Sequence, residues 1–170
     1  MTPNDDADSL FLTDGSLRPE LLGEGVPAAL QEAVRQAVET NWDSVRTPHL
    51  FMGLLAGPDA GICCWGEHLQ ADLPKLLRQF QELFRQEGTN QQPVPCFRRP
   101  FLSEQVVQLL AAARARATSR GRTSLAPLDL LIALFTTRTI VAECFERIGI
   151  SAGQLVDLAA LAERETGEQP

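Results

Sequence analysis

One apolar pattern occurs twice in this chain, 80 residues apart: in Val26–Leu55 (VPAALQEAVRQAVETNWDSVRTPHLFMGLL) and in Val106–Phe135 (VVQLLAAARARATSRGRTSLAPLDLLIALF). The apolar matches are Val26 with Val106, Leu30 with Leu110, Ala33 with Ala113, Ala37 with Ala117, Val45 with Leu125, Leu50 with Leu130, Leu54 with Leu134, and Leu55 with Phe135. Both stretches have the layout of a long helix, a loop and a short apolar helix. Because self-similarity at a fixed spacing is typical of a duplicated unit, the sequence predicts two copies of one helical motif.

Size and composition indicate one compact globular domain. The chain has 170 residues, 44% of them hydrophobic, and a formal net charge of -7. That charge argues against general nucleic-acid binding. No apolar run reaches the roughly 18 residues of a membrane span, and the acidic N-terminus lacks the features of a signal peptide. Four cysteines are too few for a disulfide framework in a chain of this length, which favours the cytoplasm. Together these features predict a cytoplasmic protein with no nucleic-acid or membrane partner.

Helical periodicity and helix-start signals divide the chain into two sets of helices. Thr47 as N-cap and Pro48 at the first helical position predict one helix start, and Pro127 predicts the corresponding start in the second copy. We expect an acidic N-terminal extension over 1–24, a first repeat over 25–87, a Pro-rich linker over 88–101, a second repeat over 102–165 and a polar tail over 166–170. No strand pattern is found. The predicted fold is therefore all-α, with about eight helices in two pseudo-symmetric four-helix repeats.

Three segments carry a family resemblance: Thr47–Leu55 (TPHLFMGLL), Pro127–Phe135 (PLDLLIALF) and Phe145–Leu155 (FERIGISAGQL). They resemble the N-terminal domain of the Clp ATPases (ClpA, ClpB, ClpC and ClpV), a tandem of two four-helix repeats. The first two look like that family's Thr/Pro-x-His-Leu-x-x-x-Leu-Leu segment, with Asp129 where the second histidine would stand. The third looks like the family's segment in which a glycine and an apolar residue precede the last helix of a repeat. The structural motif residues are Thr47, His49, Leu50, Leu54, Pro127, Leu130 and Leu134.

The resemblance, which covers about residues 20–165, implies a non-catalytic module that recognises proteins or peptides and needs no cofactor. It implies an adaptor or regulator of a Clp chaperone or protease, with a Clp ATPase or its clients as partners. The chain contains no G-x-x-x-x-G-K-[ST] motif, so it would be a stand-alone copy or a piece of a larger protein. Pro48 and Leu128 stand where the ClpC branch uses glutamates to bind phosphoarginine, so that use is not carried over.

Two groups of residues are candidates for the partner site. The first is a local excess of arginine between Pro95 and Thr123, where Glu104 is the only acidic residue. The arginines of this stretch are Arg98, Arg99, Arg114, Arg116, Arg120 and Arg122. It could bind an acidic partner, or it could be a solvated face that pairs with the acidic first 25 residues. The second group is apolar, and it forms either an exposed surface that binds another protein or a part of the core. Its residues are Leu10, Phe11, Leu12, Phe97, Phe101 and Leu102. From these, the predicted partner-binding residues are Leu10, Phe11, Phe97, Phe101, Arg114, Arg116, Arg120 and Arg122.

The sequence predicts no catalytic or metal site. His49 could act as a general base, but its position at a helix start favours a structural role. Cys63, Cys64 and His68 offer three metal ligands, yet adjacent cysteines on a helix point about 100° apart and no fourth ligand can be placed. Two alternatives to recognition remain open: a structural or oligomerisation module, and a small thiol- or metal-dependent enzyme.

Overall fold

The computed structural model describes residues 9–88 and 92–167, and every long element in these ranges is an α-helix. The helices are α1 (Val26–Glu39), α2 (Thr47–Ala56), α3 (Ala60–Leu69), α4 (Leu73–Phe84), α5 (Glu104–Ser119), α6 (Pro127–Thr136), α7 (Ile140–Arg147) and α8 (Ala152–Gly167). The prediction of an all-α chain with eight helices is therefore confirmed. None of the described helices is both long enough and apolar enough to cross a membrane.

The start of α2 differs from the prediction by one residue. The helix begins at Thr47, and the extended residue at its N-cap is Arg46. The hydroxyl of Thr47 is buried and has no hydrogen-bond partner within the described part of the chain. His49 caps the helix instead, because its Nδ1 accepts a hydrogen bond of 2.9 Å from the backbone N–H of Arg46. The prediction of Thr47 as N-cap is wrong because the first turn starts one residue earlier: the backbone N–H groups of His49 and Leu50 donate to the carbonyl of Arg46.

The two repeats are tied together by exchanged backbone pairing. Leu22 pairs with Leu125, and Val45 pairs with Leu102, each as an isolated parallel bridge. At the offset of 80 these two bridges are equivalent, so the lead-in of each repeat contacts the loop between the first two helices of the other. Short 3-10 turns, at Pro19–Leu21 and Arg99–Phe101, precede the two lead-ins at the same offset. The duplicated unit therefore includes the turn before its first long helix.

A cluster of five aromatic rings joins the repeats in one core. Phe51 of α2 lies at its centre, with ring centroids 6.2 Å from Trp65, 4.9 Å from Phe80, 6.2 Å from Phe135 and 5.9 Å from Phe145. Trp65 and Phe145 are equivalent residues of α3 and α7, at the offset of 80. Because the cluster draws on both repeats, each repeat completes the core of the other.

Helices α1 and α2 pack at unusually close range, and Gly53 makes this possible. A Cβ at Gly53 would lie 2.4 Å from the carbonyl oxygen of Ala29 and 2.8 Å from the backbone nitrogen of Ala33. Those atoms belong to the backbone of α1 and cannot rotate away. The glycine in TPHLFMGLL therefore sets the separation of the two helices.

Candidate functional site

His49 is a buried, neutral residue of the helix start. Its Nδ1 accepts from Arg46, and its Nε2 lies 3.2 Å from the hydroxyl of Thr40. The Trp42 ring lies edge-on at 5.4 Å between centroids. Burial, together with the positive charge of Arg46, lowers the pKa of His49 to about 4. With both nitrogens engaged inside the protein, His49 has the structural role that its position in the sequence indicates.

Asp129, at the equivalent position of the second repeat, is the centre of a buried ion network. Its oxygens accept hydrogen bonds of 2.6 Å from Arg116, of 2.6 and 2.9 Å from Arg122, and of 2.8 Å from the backbone N–H of Ala126. Burial alone would raise the pKa of Asp129, but these four hydrogen bonds outweigh it and hold the pKa below its ordinary value. Glu163 of α8 closes the network, with oxygens 2.8 Å from Arg116 and 2.7 Å from Arg120.

Part of the arginine cluster is therefore built into the fold, because three of its members are paired within the protein. Arg116, Arg120 and Arg122 pair with Asp129 and Glu163. Arg114 reaches the N-terminal segment, where its Nη1 donates to the hydroxyl of Ser9 at 2.6 Å. The prediction missed these pairs because both acidic partners lie outside the arginine-rich stretch of the sequence. Asp5, Asp6 and Asp8 lie outside the described residues.

Leu10 and Phe11 do not form an exposed sticky surface. Leu10 is fully buried and Phe11 is nearly so, and the segment turns back on itself through a bridge between Phe11 and Leu17. The guanidinium of Arg99 also covers the Phe11 ring, at 5.4 Å from its centroid. Their prediction as exposed contact residues is wrong because the segment before α1 docks onto the body and closes the core.

Phe97 and Phe101 are half-buried against the core, and Phe97 alone of them lines a groove. This apolar groove has a volume of about 410 Å³ and lies between the N-terminal segment, α1 and the chain that links the repeats. Its lining residues are Ser16, Leu17, Leu22, Pro27, Leu30, Gln31, Val34, Pro95, Cys96 and Phe97. None of them is charged. Sequence reasoning found Phe97 but not its neighbours, because three separate segments build the groove.

A second arrangement that the sequence did not reveal joins α3 to α8. Glu165 Oε2 accepts from the Cys64 thiol at 3.1 Å and lies 2.9 Å from Nε2 of His68. Burial, then the hydrogen bond to the Glu165 carboxylate, raises the pKa of the Cys64 thiol to about 11. Hydrogen bonds from Cys64 and His68 lower the pKa of Glu165. Cys63, which the sequence grouped with these residues, is exposed and its sulfur lies 3.9 Å from the carbonyl of Pro58.

Comparison with known families identifies the class of this chain. The family model described as the Clp repeat (R) N-terminal domain matches residues 23–148, most of the chain. The chain therefore belongs to this family, and the predicted family resemblance and double four-helix repeat are confirmed. No curated protein sequence matches the chain.

Solved structures with the same fold include Clp N-terminal domains of low sequence identity. The ClpD N-terminal domain from Arabidopsis thaliana is 19% identical, with a TM-score of 0.66 over 88% of this chain and 99% of that one. The ClpV N-domain from Vibrio cholerae is 15% identical, with a TM-score of 0.65 over 99% and 93%. A complex of the ClpV N-domain with a VipB peptide is 15% identical, with a TM-score of 0.62 over 99% and 96%. The ClpV matches thus also take in the segment before α1.

Proposed function

We propose that this chain is a non-catalytic, cytoplasmic recognition module that binds a segment of a partner protein in the apolar groove. It would act as an adaptor or regulator of a Clp chaperone or protease, holding either the ATPase itself or one of its clients. The single observation that carries the proposal is the uncharged groove, in a chain that belongs to the Clp N-terminal domain family. Support also comes from the ClpV N-domain, a protein of the same fold that has been solved with a VipB peptide.

The lining of the groove defines the kind of segment that would fit. Leu30 and Val34 stand one turn apart on α1, and half-buried Leu22 and Phe97 approach from the other two walls. Because no lining residue carries a charge, the face of the peptide that enters must be apolar. A helix with apolar residues three and four positions apart is the natural occupant of such a surface. The proposal therefore commits to an amphipathic segment of a partner protein.

The chemistry of the groove also predicts how binding responds to salt. Apolar burial is insensitive to ionic strength in the range where surface charge pairs are screened. The arginines Arg116, Arg120 and Arg122 are already occupied by Asp129 and Glu163, so they contribute little attraction to an acidic partner. Affinity for the bound segment should therefore be nearly the same at low and high salt.

The test is selection from a displayed library of random peptides, followed by fluorescence anisotropy with the enriched peptides. The variant is Val34→Glu, which places a carboxylate in the groove. The matched control is Leu83→Glu, which introduces the same carboxylate at a helix residue of α4 that is 61% exposed. We expect enriched peptides with an apolar face and affinity lowered at least about tenfold in Val34→Glu, since a desolvated charge costs well over 1.4 kcal/mol. Leu83→Glu should bind like the wild type.

Two results would overturn the proposal. One is a selection that enriches nothing above the empty matrix. The other is binding that Val34→Glu leaves intact while thermal melts show both variants folded. A dimer in gel filtration that Val34→Glu dissociates, with no peptide bound, would assign the groove to a second copy and favour the oligomerisation alternative.

A further inference from the structure

The cluster on α3 and α8 has the composition of a transition-metal site. Cys64 and His68 are four residues apart on one helix, so their side chains point to the same face. Glu165 comes from α8, which lies across that face. The three ligand atoms, Sγ, Nε2 and a carboxylate oxygen, all lie within 4.8 Å of one another. A thiol, an imidazole and a carboxylate from two helices thus meet at one point of the surface.

Two of the three distances between these atoms are close to those around a tetrahedral ion, and the third, between Sγ and Nε2, is at most 4.8 Å. Zinc binds sulfur at about 2.3 Å and nitrogen or oxygen at about 2.0–2.2 Å, so its ligand atoms stand roughly 3.3–3.6 Å apart. The two contacts of Glu165 are 3.1 and 2.9 Å, and each would open by a few tenths of an ångström. Side chains of His68 and Glu165, 29% and 48% exposed, have room for that movement.

The backbone around the cluster is held firmly enough to define a site. Trp65, the residue after Cys64, is fully buried, and its indole N–H donates to the carbonyl of Leu155 on α8 at 3.2 Å. The two helices are thus also joined ten residues before Glu165 on α8. To bind a divalent ion, the Cys64 thiol must lose its proton. The Cys64 thiolate and the Glu165 carboxylate would then balance the 2+ charge of the ion.

We propose that Cys64, His68 and Glu165 bind one divalent cation of the zinc class. This sulfur, nitrogen and oxygen set favours Zn²⁺ over the hard cations Mg²⁺ and Ca²⁺, which prefer oxygen alone. Three protein ligands leave a fourth tetrahedral position for water or for a side chain of a bound partner. The ion would join α3 of the first repeat to α8 of the second. This inference goes beyond the recognition function and does not depend on it, because the site and the apolar groove share no residue.

The test is titration of the metal-free, reduced protein with Co²⁺, followed by displacement with Zn²⁺. Tetrahedral cobalt bound to a thiolate gives a charge-transfer band that the thiol alone does not. We expect one Co²⁺ per chain with this band, and loss of the colour on addition of Zn²⁺. Saturating Zn²⁺ at 100 times its dissociation constant should raise the melting temperature by roughly 5–10 °C, because the ion binds only the folded chain.

Variants assign the ligands. Cys64→Ser should abolish the charge-transfer band, and His68→Gln and Glu165→Gln should each weaken Co²⁺ binding at least about tenfold. Cys63→Ser is the matched control, since it removes the neighbouring exposed thiol and should change nothing. Glu165→Gln alters an exposed side chain, so its effect on binding is separable from folding, which a metal-free melt checks. The proposal is overturned if the wild type shows no thiolate band, or if Cys63→Ser removes the band as Cys64→Ser does.

Discussion

His49 and Asp129 lie 80 residues apart and make the same hydrogen bond. His49 Nδ1 accepts from the backbone N–H of Arg46 at 2.9 Å, and Asp129 Oδ2 accepts from that of Ala126 at 2.8 Å. Both side chains are buried at the third position of their helices. The same cap is thus made by an uncharged imidazole in one repeat and by a carboxylate in the other.

The residues around His49 and Asp129 differ in a way that suits the neutral imidazole in one repeat and the charged carboxylate in the other. Trp42 packs edge-on against His49, and Arg122, its equivalent at the offset of 80, donates twice to Asp129. Gln36 is buried beside α4 and bonds Gln81, whereas its equivalent Arg116 bonds Asp129. A buried charge therefore appears only in the repeat that supplies arginines to pair with it, as the cost of burying an unpaired charge requires.

The first prediction is a loss of stability in mild acid through His49. Its pKa is about 4 in the folded chain and 6.5 in the unfolded one. Between these values the unfolded state binds a proton that the folded state does not, so the free energy of unfolding falls as the pH is lowered from 6.5 to 4. The full loss is about 3 kcal/mol. Urea denaturation at a series of pH values measures it.

The control for this prediction is His49→Gln, whose amide oxygen can still accept from the N-cap N–H but does not titrate. The difference in stability between the wild type and this variant should shrink by about that amount over the same pH range. Asp129 does not interfere, because its pKa is lowered from 3.8 and its contribution is lost only below that value. An equal pH dependence in both proteins would contradict the assignment of a neutral, buried His49.

The second prediction concerns the buried network. Asp129→Asn removes the charge that faces Arg116 and Arg122 and should cost about 3–5 kcal/mol of unfolding free energy, as breaking a buried ion pair does. Glu163→Gln should cost clearly less, because the Glu163 side chain is 19% exposed whereas that of Asp129 is fully buried. Chemical denaturation of the two variants makes the comparison. A cost for Asp129→Asn below that of Glu163→Gln would show that Asp129 is not the centre of the network.

The third prediction tests the close packing of α1 on α2. Gly53→Ala places a methyl group within 2.4 Å of a backbone oxygen and should cost roughly 1–3 kcal/mol by overpacking. Gly57→Ala, at the end of the same helix, meets no atom within 4 Å and should be tolerated. Thermal melts of the two variants provide the measurement, and equal melting temperatures would remove the steric argument.

The fourth prediction follows from the duplication itself. Leu54→Ala and Leu134→Ala create cavities at equivalent, fully buried positions, and each should cost about 2–5 kcal/mol. Leu83→Ala, at an exposed position of α4, should stay within about 0.5 kcal/mol of the wild type. Denaturation curves that show no loss of unfolding free energy in either core variant would contradict the shared core.

The helices could be predicted because their signals are local. The apolar spacing of α1 and α5 and the proline that starts α6, Pro127, need only residues within a few turns. The start of α2 was missed by one residue because threonine is a common N-cap residue and arginine is not, so the sequence alone favours Thr47 over Arg46. The exchanged bridges, such as Leu22 with Leu125, could not be predicted, since each joins segments that are far apart in the sequence.

The candidate sites depended on residues far apart in sequence, and for that reason they were predicted poorly. Arg116 and Arg122 were recognised as a charged group, but Glu163 arrives from a helix 47 residues beyond Arg116. Glu165 completes the cluster with Cys64 from 101 residues away. Phe11 looked exposed because an apolar residue in an acidic segment has no local partner. In each case the role of the residue depends on a partner from a distant part of the sequence, and local spacing does not reveal that partner.

The most direct test of the recognition function is to map where a selected peptide binds. The measurement is the change in backbone amide chemical shifts of the ¹⁵N-labelled chain when a library-selected peptide is added. We predict that the largest changes fall on the groove residues Leu22, Leu30, Val34 and Phe97 and that those around His49 stay small. Changes concentrated on another face, with the groove unaffected, would contradict the account.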